Sequence, residues 1–111
     1  MSVLKPKFFT IFDNEPIADV CSSPLELCFS YHWDLQLIKT GADGNPLISV
    51  EASNDGVNWN EYNACAGDVL MNQDSIRFID DMLPSKFIRV CMKANGVTTG
   101  TMTALLMLKD G

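Results

Sequence analysis

The run Ile48 to Tyr62, ISVEASNDGVNWNEY, does most to restrict what this chain can fold into. Ile48, Val50 and Ala52 alternate with Ser49, Glu51 and Ser53, the period-2 pattern of a strand with one buried face. Ser53-Asn54-Asp55-Gly56 follows, and glycine there supplies the positive φ that tight hairpin turns require. Val57 to Tyr62 is then expected to return as the second strand. A helix has no use for this pattern.

The same alternation recurs along the chain. In Leu27 to Thr40, the residues Leu27, Phe29, Tyr31, Trp33, Leu35 and Leu37 share one face, opposite Cys28, Ser30, His32, Asp34, Gln36 and Ile38. Further strands are expected at Phe8 to Phe12, Ser75 to Asp80, Lys86 to Lys93 and Thr101 to Lys109. Ala64 to Asp74 reads as an irregular connection with one helical turn near Asp68 to Asn72. Dense turn signals, such as Thr40-Gly41-Ala42-Asp43-Gly44-Asn45-Pro46, separate these runs. Roughly seven to eight short strands at this spacing predict an all-β fold, an antiparallel β-sandwich of jelly-roll or Greek-key type. With 111 residues, the chain is expected to form an N-terminal arm over 1–12 and a single sandwich domain over 13–111.

Charge narrows the function classes. A net charge of −6 offers no basic footprint for nucleic acid, and no apolar run is long enough to span a bilayer. The N-terminal run lacks the long apolar stretch and cleavage site of a signal peptide, so a cytosolic origin is expected. Cys21, Cys28, Cys65 and Cys91 show no paired C-x-x-C spacing, and His32 is the single histidine. They are expected to be reduced, with disulfides within or between chains as the alternative and zinc disfavoured.

Candidate sites are few. His32 and Asp34 share a strand face, but no nucleophile or oxyanion donor accompanies them. Arg89 is expected to bridge to Glu51 or Asp34. Asp43, Asn45, Asn54 and Asp55 offer loop oxygens without the regular spacing of a calcium loop. Trp59 and Tyr62, with Asp43, Asn45 and Asn54, would form the contact surface if the chain bound a glycan. The last strand is apolar on both faces towards its end, which fits a central strand or one buried by a neighbouring subunit, and on the second alternative nominates Leu105 and Met107 for docking. The basic arm adds Lys5, Lys7, Phe8 and Phe9 to that docking set.

Four segments resemble a group of small β-sandwich virion proteins of tailed bacteriophages. They are Tyr31-His32-Trp33-Asp34-Leu35-Gln36-Leu37 through Thr40-Gly41, then Ile48 to Trp59, then Lys86-Phe87-Ile88-Arg89-Val90, then Thr99-Gly100-Thr101-Met102-Thr103-Ala104 with Lys109. The piece SNDGVNW is also similar to discoidin-like sandwiches. The phage resemblance implies a non-enzymatic virion protein, made in the host cytoplasm and located in the particle, such as a capsid decoration or cement protein. It implies docking on major capsid or other virion proteins and on further copies of itself, with a trimer favoured. It supplies no catalytic, cofactor or metal residues. On this reading Cys21, Cys28, Cys65 and Cys91 are candidate cross-links between neighbours. A carbohydrate-binding module for host attachment, or a tail or neck component, is the second reading.

Overall fold

Alternation decides where each strand sends its side chains, and the pairing of strands then builds two layers. The computed structural model describes residues 7–27, 31–61, 69–80 and 85–110. Its strands are β1 (Lys7–Pro16), β2 (Val20–Cys21), β3 (Leu25–Glu26), β4 (Tyr31–Thr40), β5 (Leu47–Ser53), β6 (Asn60–Glu61), β7 (Val69–Leu70), β8 (Ser75–Asp80), β9 (Phe87–Lys93) and β10 (Thr101–Asp110). The first sheet has the order β1-β10-β4-β8. The second has the order β2-β9-β5-β6, with β3 also on β9 and β7 also on β5. Every pairing is antiparallel. This is the all-β two-sheet sandwich that the strand pattern predicts, with ten strands among the described residues where roughly seven to eight are expected.

The core lies between the sheets. From the first sheet come Trp33, Leu35 and Leu37 of β4 and Met102, Ala104, Leu106 and Leu108 of β10, all buried. From the second come Ile48 and Val50 of β5 and Ile88, Val90 and Met92 of β9. Each large apolar side chain removed from water contributes about 1.5–3 kcal/mol, so the two inner faces hold the layers together. Lys39 closes one end of this core. Its Nζ donates to Asn45 Oδ1 at 2.7 Å, to the Met71 carbonyl at 2.9 Å and to the Gly44 carbonyl at 3.4 Å.

Four local expectations are corrected. Residues 7–12 do not extend as an arm, because β1 begins at Lys7 and pairs with β10 from Lys7↔Leu108 to Pro16↔Thr101. Register shifts on either side of Phe12 let this edge strand continue past Asp13, with Asn14 at φ 50° donating its N–H to Thr103 Oγ1. The aromatic strand does not include Leu27, which donates its N–H to the Lys86 carbonyl beside the second sheet; the strand is described from Tyr31, and residues 28–30 lie outside the described residues. Val57 to Trp59 do not join the return strand, which among the described residues is only Asn60–Glu61. The Asp55 carboxylate takes the N–H groups of Val57 and Asn58 and so removes them from the ladder. Val69–Leu70 is strand β7 in place of a helical turn, since Met71 next to it is buried completely and donates its N–H to the Pro46 carbonyl.

Candidate functional site

The outward side of the first sheet exposes Phe8 and Leu105, two of the four exposed large hydrophobics among the described residues. Phe8 on β1 stands opposite Met107 on β10, and Thr10 stands opposite Leu105. Across β10, Leu105 faces Gln36 and Met107 faces Asp34 on β4. Phe8 is 72% exposed and Leu105 39%. These residues, with Arg77 of β8, line a shallow cavity of about 380 Å³. Arg77 donates from Nε to Asp34 Oδ1 at 3.2 Å and from its terminal nitrogen to Asp34 Oδ2. The carboxylate accordingly holds the Arg77 guanidinium above its ordinary pKa. The two charges on the cavity wall neutralise each other, and the remaining side chains are apolar or uncharged.

The expected docking residues thus separate by parity. Phe8, Leu105 and Met107 share the outward face, whereas Phe9 turns to the inner side and packs against the core. Lys7 opens β1, and Lys5 lies outside the described residues. Arg77 is a contributor that sequence reading missed. Only the register Gln36↔Arg77 beside Asp34↔Ile79 brings β8 to this face.

The outward side of the second sheet has a different chemistry. Arg89 donates from Nε to Glu51 Oε1 at 2.6 Å, and its guanidinium carbon lies 4.3 Å from the centroid of the Trp59 ring. Of the two partners anticipated for Arg89, Glu51 is the one it finds, because Asp34 belongs to the other sheet. Cys21 and Cys91 form a disulfide within the chain, bridging directly opposed positions of β2 and β9. Their expected reduced state, and their alternative role as links between neighbouring chains, are corrected by this register. Cys28 and Cys65 lie outside the described residues.

The loop oxygens named above serve the backbone. Asp43 accepts hydrogen bonds from the N–H groups of Thr98 and Thr99 and from the Thr98 hydroxyl, and that hydroxyl is the chief cause of its lowered pKa. Asn45 accepts from Lys39 through its side chain and from Asn95 Nδ2 through its carbonyl. Both residues precede β5, while Trp59 follows it, so seven residues of strand separate the two halves of the glycan set. Asn54 Oδ1 accepts from the N–H of Lys86, and Tyr62 lies outside the described residues. His32 sits at the β4 end, opposite Lys109.

Fold and surface together define a two-sheet antiparallel sandwich that exposes Phe8 and Leu105 on the outward side of its first sheet. Among solved structures it is similar to a chain of infectious bursal disease virus, Gx strain, with a TM-score of 0.56 and 9% identity over 98% of this chain and 33% of that one. It is likewise similar to the VP2 subviral particle of infectious bursal disease virus, with a TM-score of 0.54 and 9% identity over 96% of this chain and 32% of that one. The chain therefore spans about a third of the length of these matches, and at 9% identity the likeness is one of fold. No protein-family model and no curated protein matches the sequence.

Proposed function

We propose that this chain is a non-enzymatic structural component of a virus particle that associates with copies of itself through the outward face of the first sheet. The observation that carries the reading is the patch of Phe8, Leu105 and Met107 on a sandwich whose fold recurs in the particle chains above. A chain of net charge −6 repels its own copies. At this patch the charged pair Asp34–Arg77 is internally neutralised, so self-contact there brings no unmatched charges together. An apolar face with a mutually neutral pair also meets a neighbouring copy without burying an unmatched charge. The narrower form of the proposal is a decoration or cement protein of a tailed-phage capsid, assembling as a trimer and stabilising the shell by mass action.

Light scattering on the purified chain tests it. The expected result is an oligomer that Phe8→Asp or Leu105→Asp reduces to a monomer, with the far-ultraviolet circular dichroism of a β protein unchanged. Both positions are exposed, so the fold tolerates the change. A chain that stays monomeric at high concentration and does not co-sediment with particles would overturn the reading.

A further inference from the structure

Strands β2, β5 and β9 bring together three ligand atoms that lie far apart in sequence. Cys21 Sγ, Cys91 Sγ and a carboxylate oxygen of Glu51 all fall within 4.8 Å of one another. Cys91 Sγ is 3.4 Å from Glu51 Oε1. A tetrahedral site with metal–sulfur bonds of about 2.3 Å and metal–oxygen bonds of about 2.0 Å has sulfur–oxygen edges of roughly 3.5 Å. Cys91 and Glu51 already stand at ligand separation.

What surrounds the three atoms fits the same chemistry. A cavity of about 260 Å³ borders Cys21, Cys91 and Glu51, with Ser49, Glu61, Asp19 and Lys93 also on its wall. Glu61 is the register partner of Glu51, so a second carboxylate borders the space. Arg89 holds Glu51 at 2.6 Å while stacked on Trp59, the kind of outer contact that fixes a ligand's orientation. A divalent ion with two thiolates and one carboxylate carries one net negative charge, and the Arg89 guanidinium offsets it.

We propose that, once the Cys21–Cys91 bond is reduced, Cys21, Cys91 and Glu51 bind a thiophilic divalent cation of the zinc class, with a fourth position filled by water or Glu61. Disulfide and metal are then alternative occupants of one pair of sulfurs, and each ties β2 to β9. With a phosphine as reductant, the S–S bond breaks and phosphorus is oxidised to the phosphine oxide, taking its oxygen from water. The two electrons that phosphorus gives up and the two protons of that water convert the disulfide into two thiols. Metal binding displaces those protons to solvent. This site stands apart from the docking face and does not depend on the function proposed for it.

Cobalt(II) titration of the phosphine-reduced chain, in a Cys28→Ser/Cys65→Ser background, tests the site. The expected result is one ion per chain, with thiolate-to-cobalt charge transfer in the ultraviolet and the visible bands of tetrahedral cobalt. The oxidised chain gives none, Cys91→Ser abolishes the bands, and Glu51→Gln weakens binding by at least about tenfold. Absence of the bands, or bands indifferent to both substitutions, overturns the proposal. Should the reduced, metal-free chain lose its β circular dichroism, the titration is followed there. Recovery at one equivalent supports the site, and no recovery overturns it.

Discussion

Glu51 accepts the Nε hydrogen of Arg89 at 2.6 Å, although the two residues lie 38 positions apart in sequence. They are direct partners in the β5–β9 register, and the Arg89 guanidinium also covers the Trp59 ring. Both side chains are partly exposed, which screens the ion pair but leaves the stacking and the short hydrogen bond. Arg89→Met is expected to cost about 1–2 kcal/mol in urea unfolding, more than Glu51→Gln alone, because it removes both contacts. A double substitution equal to the sum of the two singles would show that the pair is not coupled.

Gly100 cannot be replaced. Its φ is +108°, and a Cβ there would lie 2.7 Å from both the Cα and the nitrogen of Ala42, which are backbone atoms that cannot swing away. Gly100→Ala is expected to cost about 2–4 kcal/mol. Gly41, at φ +68° with open space around it, isolates the conformational part, and Gly41→Ala should cost about 1–2 kcal/mol. Equal thermal shifts for the two variants would refute the steric argument.

Lys39 joins three acceptors from two connections to the end of β4. Lys39→Met keeps the apolar stem and leaves the Met71 carbonyl and Asn45 without this donor. A loss of about 2–3 kcal/mol is expected, measured by chemical denaturation. Stability within about 0.5 kcal/mol of the parent would mean that water replaces the ammonium without loss.

Asp55 makes the turn after β5 sensitive to acid. Its carboxylate accepts from the Asn58 N–H at 2.8 Å, the Val57 N–H at 2.9 Å, the Asn58 side-chain amide and the Ser53 hydroxyl, and these bonds lower its pKa far below the usual carboxylate value. A folded-state pKa below the unfolded one, near 3.9, contributes stability that is complete above that value. The contribution is lost as pH falls from about 4 through the lower folded value. Asp55→Asn should flatten the decline in urea midpoint between about pH 5 and about pH 2. An identical decline in the variant would assign the acid sensitivity to other carboxylates, such as Asp43.

How far each feature was legible depended on its range. Strands β4, β5, β9 and β10 were readable because burial on one face writes a period of two directly into neighbouring residues. The return strand after Gly56 was overestimated, since the capacity of Asp55 to bind two backbone N–H groups competes with a ladder that alternation alone predicts. Leu27 obeys the parity of the aromatic run and is buried, yet it lies against the second sheet. Parity identifies a buried face but does not say which layer supplies it. Phe8, Leu105 and Met107 could be nominated for docking from their excess apolarity, whereas which of Phe8 and Phe9 faces outward could not be read without the register of β1 on β10.

By itself, then, the sequence determined the β class, the composition of the two inner faces and the surplus of apolar residues on the final strand. All of these follow from local periodicity and the removal of apolar surface from water. Only the tertiary structure decided that Arg77 meets Asp34, that Cys21 meets Cys91, and that Glu51 lies 3.4 Å from the Cys91 sulfur. Those contacts arise from which strands become neighbours and in what register. A period of two carries no record of that choice, because any antiparallel partner with the same parity buries the same face.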